Sequence, residues 1–91
     1  MVSYMVSYSQ ERRWEQLQIE KIIKKMRLQP NGLRPQELDK VLKYYGYYVS
    51  GQKGSHKQYR HKIKRPITVV QENPADRYIV NQVLEIVDSE G

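Results

Sequence analysis

A chain of 91 residues and 10.9 kDa has room for one domain with one core, so a deep substrate cavity is not expected and any site is a shallow surface patch. The lack of Cys excludes disulfides, thiolate catalysis and Cys-based zinc sites, and no apolar run approaches the roughly 20 residues a membrane span needs. The net charge of +6 is unevenly placed: residues 1–65 hold fifteen Lys/Arg against five Asp/Glu, whereas 66–91 hold one Arg against five acids. A cationic body suits a polyanion such as RNA, although such charge also serves solubility alone.

The opening Met-Val-Ser-Tyr tandem repeat predicts a disordered terminus over 1–8, ahead of a single domain over 9–91. From Ser9 to Leu28 the pattern is helical, with Ile19, Ile22, Ile23 and Met26 forming one apolar stripe. Trp14 and Leu17 lie off that stripe; a partner contact is open to them, with packing onto the sheet or last helix the more ordinary expectation. Gln-Pro-Asn-Gly at 29–32 breaks the helix. A second helix starts near Pro35, buries Leu38, Val41, Leu42 and Tyr45 at helical spacing, and ends at Gly46.

Three short strands are predicted next, over Tyr47–Val49, Ser55–His61 and Ile67–Gln71. Gly51 and Gly54 are expected to form a flexible hairpin tip between the first two. The last helix follows Asn73 as cap and Pro74 in the first turn, burying Val80, Val83, Leu84 and Val87. The order α-α-β-β-β-α predicts an α+β domain: a three-stranded antiparallel sheet with helices on one face and the other face open. With no Phe and eight Tyr, an aliphatic core edged by Tyr rings is expected.

The segment from Gly51 to Arg65 holds six cations, two histidines and no acid. Strand alternation sends Ser55, Lys57, Tyr59 and His61 one way and His56, Gln58, Arg60 and Lys62 the other. Tyr59, the largest of the first set, belongs against the helices, which leaves His56, Gln58 and Arg60 on the open face. His61 then sits beside the core or at the strand end. An imidazole titrates near neutrality and can move protons, and Lys53, Lys57 and Arg60 are the cations suited to hold a phosphate. On the residues alone, a catalytic His56 and a solvated turn both stay open. A His56–His61 metal site is disfavoured, because five residues along a strand place the two on opposite faces. Tyr44–Tyr48, "YYGYY", offers a base-stacking platform, with packing at the core edge the more ordinary use.

The stretch from Leu38 to His61 resembles the core of HicA-type toxins, the RNA-cleaving half of HicA–HicB toxin–antitoxin modules. The matching residues are Leu42, Gly46 and Tyr47 at the helix end, then Lys53, Gly54, Ser55 and His56 opening a strand. Pro66–Val70 and Asp76–Val87 resemble the third strand and closing helix, and the first helix resembles that of a longer subgroup. The resemblance implies a double-stranded-RNA-binding-domain-like fold and a metal-independent endoribonuclease acting on mRNA in the cytoplasm. It further implies His56 as general acid/base, and Lys53, Gly54, Ser55, Lys57, Gln58, Arg60 and Lys62 around it are the residues expected to contact RNA. No metal or other cofactor is implied, and the partner is a HicB-type antitoxin covering His56 and its basic strand. One departure is Gln58, where the family usually has an apolar residue. A non-catalytic RNA-binding module is the competing expectation, with DNA binding weaker because no helix carries a reader's cluster of Arg, Asn and Gln.

Overall fold

The computed structural model describes residues 2–90, and their side chains from Arg13 onward. Its order is α1 (Val2–Leu28), a 3-10 turn at Pro30–Gly32, α2 (Pro35–Tyr44), β1 (Tyr48–Lys53), β2 (His56–Arg60), β3 (Ile67–Val70) and α3 (Arg77–Asp88). This is the expected α+β layout, with one antiparallel sheet in strand order β1-β2-β3. The expectation of disorder over 1–8 falls on residues whose side chains lie outside the described set.

The core forms where the helical and strand periodicities meet. Leu38, Val41 and Leu42 on α2, Val80 and Val83 on α3, and Ile19 and Met26 on α1 are buried, as their spacing requires. From the sheet come Tyr59, Ile67 and Val69, one face of β2 and β3. Ile22, Ile23, Leu84 and Val87 pack partly buried against this cluster. Tyr59 lies against the helices as expected, but deeper than the core edge expected for Tyr rings: its ring is fully buried, and Tyr47 is almost as deep. Each satisfies its hydroxyl by reaching out of the apolar layer, Tyr59 donating to Asp39 and Tyr47 to the carbonyl of Arg65 at 2.9 Å.

Trp14 and Leu17 also depart from expectation, remaining 63% and 47% exposed. Helix α1 has 27 residues, about 40 Å at 1.5 Å per residue, and overshoots the ten-residue α2. Its other end is tied down. Lys25 meets Glu37 at 3.0 Å, and Arg27 meets Asp88 on α3 at 2.6 Å. The acids of the C-terminal end thus engage cations of the helices and of the loop after β2, where Glu90 meets Lys64 at 2.8 Å. Helix α3 is capped by Asp76, whose carboxylate accepts the Tyr78 N–H at 2.8 Å, rather than by the expected Asn73. Asp76 is the residue directly before the first helical turn, where a side-chain oxygen can reach orphan N–H groups.

Asp39 links α2 to the sheet, accepting from Tyr59 and lying 3.1 Å from Lys43 Nζ and 3.6 Å from Lys57 Nζ. Partial burial pushes its carboxyl up, but the hydrogen bonds from Tyr59 and Lys43 and the nearby ammonium charges prevail and hold it below the usual range. Glu37 is held low in the same way by the Arg34 N–H and Lys25 against its own burial. A carboxylate whose folded value is depressed stabilises the fold above its unfolded pKa, near 4, and that contribution disappears as pH falls through the lower folded value. The urea midpoint should therefore fall between pH 5 and pH 2, as followed by circular dichroism. Asp39→Asn should be less stable at pH 7 yet show a shallower acid dependence; parallel pH curves for the two proteins would refute the linkage.

Candidate functional site

The sheet has one face on the helices and one in water, and β2 sorts its residues accordingly. His56, Gln58 and Arg60 are exposed, Lys57 is partly covered and Tyr59 is buried. The alternation read from the sequence therefore places His56 on the open face. The pairing register adds its neighbours. Lys53 stands opposite His56, Gly51 opposite Gln58 and Tyr48 opposite Arg60. On β3, Val70 stands opposite His56 and Thr68 opposite Gln58. Residues directly opposite share a face, so Lys53 and His56 are neighbours in solvent. No strand contains an Asp or Glu, which leaves this face cationic and polar.

The hairpin that carries the pair is tighter than the sequence suggested. Strand β1 runs through Gly51 to Lys53, and only Gly54 and Ser55 turn the chain. Gly54 has φ +59°, a conformation that costs an L side chain but not glycine, and it occupies the first central position of a two-residue turn. A methyl group there would meet nothing within 4 Å, so the tip is open to an approaching ligand. Gly51 is not part of the tip. It lies inside β1 beside a bulge: Val49 faces Tyr59 and Gly51 faces Gln58, leaving Ser50 as the extra residue. The extra residue restores parity, so that Tyr48 and Lys53, five apart, both reach the open face. Tyr48, 55% exposed, is the one tyrosine of the Tyr44–Tyr48 run that reaches this face; the sequence offered that run as a stacking platform but not the bulge that aims Tyr48, for which a glycine inside a strand-like run was the available signal.

The remaining expected contact residues are dispersed. Lys57 belongs to the helix side, 3.6 Å from Asp39 and with Nζ 5.9 Å from the Tyr59 ring centroid; it is not brought together with His56. Gly54 and Ser55 form the turn, and the exposed Lys62 lies past the end of β2, where strand alternation no longer fixes its direction.

His61 also lies past the strand and has a different role from His56. Its Nδ1 accepts the N–H groups of Ile63 and Lys64, each at 3.0 Å, so the ring proton is on Nε2, which donates to the Tyr45 carbonyl at 3.0 Å. Its ring packs on Tyr47 with centroids 4.9 Å apart. Three backbone bonds leave no ring nitrogen for substrate. His61 fastens the turn after β2 to the end of α2.

Among known proteins, the family model described as the HicA toxin of bacterial toxin–antitoxin systems matches residues 35–88. The match starts at the first residue of α2 and takes in the whole sheet and α3, while α1 lies outside it. No curated protein and no solved structure matches the chain. A match over more than half of the 91 residues, on the same elements that build the open His56 face, establishes the affiliation: the chain belongs to the HicA toxin family of toxin–antitoxin systems.

Proposed function

We propose that this toxin is a metal-independent endoribonuclease that cleaves mRNA in the cytoplasm, with His56 as its general acid/base. The observation that carries the proposal is an exposed imidazole opposite Lys53 on a sheet face whose strands hold no carboxylate. RNA brings its own nucleophile, the 2′-hydroxyl beside each phosphodiester, so the protein need only move protons and stabilise charge.

In this reading His56 accepts the 2′ proton and the 2′ oxygen attacks phosphorus. The bond from phosphorus to the 5′ oxygen breaks, and the departing oxygen takes up a proton. The products are a 2′,3′-cyclic phosphate and a 5′-hydroxyl. The Lys53 ammonium lies where it can hold the non-bridging oxygens as charge grows on them. Gln58 and Arg60 continue the contact surface along β2, and the turn at Gly54 and Ser55 admits the backbone of the nucleic acid. Lys57 contributes from the opposite side of the sheet, through Asp39, by fixing the strand rather than by touching RNA. A HicB-type antitoxin would silence the toxin by covering His56 and setting carboxylates against Lys53 and Arg60.

The test is incubation of single-stranded RNA with the purified chain in EDTA, followed by analysis of the ends. Cyclic phosphate and 5′-hydroxyl ends are expected, and one 2′-deoxy substitution at a cut position should abolish that cut. Ends of the opposite kind, cutting that ignores the 2′-deoxy block, or tight salt-sensitive binding with the RNA recovered whole would discard the enzymatic reading. The last result would establish a non-catalytic RNA-binding module instead.

Phosphate contact has its own signature. Lys53→Ala should weaken RNA affinity to a similar degree for all sequences and reduce the slope of log affinity against log salt by about one ion. Affinity measured from 50 to 300 mM salt checks this, and an unchanged slope would remove Lys53 from the contact surface.

A further inference from the structure

A single exposed tyrosine means little by itself, since soluble proteins leave many apolar atoms in water. Tyr48 is distinguished by how it becomes exposed. In an unbroken strand, Tyr48 and Lys53 would point to opposite faces, because five residues separate them. The extra residue at Ser50 turns Tyr48 onto the His56 face, opposite Arg60, while Val49 stays opposite the buried Tyr59. The neighbouring tyrosines are otherwise engaged: Tyr47 is buried against His61, and Tyr44 and Tyr45 meet edge to face at 5.2 Å.

Three rungs thus cross the open face from the hairpin tip toward α2. The first is Lys53 and His56, the second Gly51 and Gln58, the third Tyr48 and Arg60. The second is half empty, because glycine adds no side chain and a methyl built on it would meet nothing within 4 Å. From His56 to Arg60 is about 13 Å at roughly 3.3 Å per residue, a span that a couple of extended nucleotides cover. An aromatic ring beside a guanidinium, across a bare floor from the phosphate-binding pair, has the parts of a single-strand platform: a surface for a base and a cation for the adjoining phosphate.

We infer that Tyr48, brought onto the His56 face by the bulge at Ser50, is a base-stacking subsite for single-stranded RNA, with Arg60 holding the phosphate next to it. This rests on the ribonuclease reading for the direction of the strand, but binding tests it separately from cleavage. The probe is a fluorescent oligoribonucleotide with 2′-O-methyl groups throughout, which keeps its bases and lacks the nucleophile. Its affinity for the full chain is measured by anisotropy.

Tyr48→Ala should weaken binding by about tenfold or more, whereas Tyr48→Phe, which keeps the ring, should stay within about twofold. Gly51→Val should also weaken binding without unfolding, since its added carbons enter open space. One abasic position in the oligonucleotide should reproduce the Tyr48→Ala loss in wild type and add nothing in Tyr48→Ala. Equal affinity of wild type and Tyr48→Ala would overturn the subsite. So would equal losses for the intact and abasic probes, or a Tyr48→Ala defect seen only with the antitoxin protein. If unmodified RNA is bound with this Tyr48 dependence but never cut, the ribonuclease reading fails and the subsite stands. If wild type does not bind the probe, the subsite fails, and cleavage of unmodified RNA decides the ribonuclease reading by itself.

Discussion

Replacing His56 with alanine is expected to lower the rate of RNA cleavage by at least about a hundredfold while leaving the melting temperature where it was. The two halves of this expectation have separate causes. A general acid or base contributes about 10²–10⁴-fold through proton transfer, and alanine has no proton to move. The fold should not notice, because His56 is exposed and its backbone pairing with Lys53 and Val70 survives the change. RNA affinity should fall much less than the rate, since Lys53 and Arg60, the proposed phosphate contacts, are still present on that face. His61→Ala provides the converse control. It removes three bonds to the backbone and the ring packed on Tyr47, so it should lower stability and leave cleavage at low temperature close to wild type. Overproduction in cells without antitoxin should follow the same division, arresting growth with wild type and not with His56→Ala. Equal cleavage by wild type and His56→Ala would exclude the imidazole from the chemistry, and a rate loss shared equally by the two histidine variants would mark it as structural damage.

The features legible in the sequence were those set by local periodicity. Pro35 opens α2, Leu38, Val41 and Leu42 bury at helical spacing, and alternation along β2 separates exposed His56 from buried Tyr59. What escaped depends on partners distant in sequence. The segment Ser50–Lys53 looks like a turn because of its glycine, but cross-strand bonds to β2 hold it as strand and absorb Ser50 as a bulge. The side chain of Lys57 is committed to Asp39, eighteen positions earlier, which no reading of β2 alone reveals. Tyr59 can enter the core instead of its edge because that same carboxylate accepts the hydrogen bond of its hydroxyl, and burial together with this ionised partner pushes the Tyr59 phenol well above its usual pKa, so that it keeps its proton. One aspartate on α2 therefore fixes the buried side of the strand whose other side carries His56.

Gly46→Ala is expected to be more damaging than alanine at any other described glycine, for two reasons that act together. Gly46 has φ +95°, where an L side chain is strained whatever the space around it, at a cost of about 1–3 kcal/mol. The space is also occupied: a Cβ on Gly46 would lie 3.0 Å from His61 Nε2 and 3.3 Å from its Cδ2. That nitrogen donates to the carbonyl of Tyr45, so the ring cannot withdraw without losing a hydrogen bond worth about 1 kcal/mol and pulling on the turn at Ile63 and Lys64. Together these should cost about 2–4 kcal/mol, or about 10–20 °C in melting temperature for a domain of this size. The pairing can be separated from the strain by a double-mutant cycle. In Gly46→Ala, the further change His61→Ala removes the clash, so it should cost less than it does in wild type, by about 1 kcal/mol. Strict additivity would show that the backbone conformation alone requires glycine here. Non-additivity would show that the helix-ending glycine and the second histidine form one joint, tying the end of α2 to the far end of the strand that presents His56.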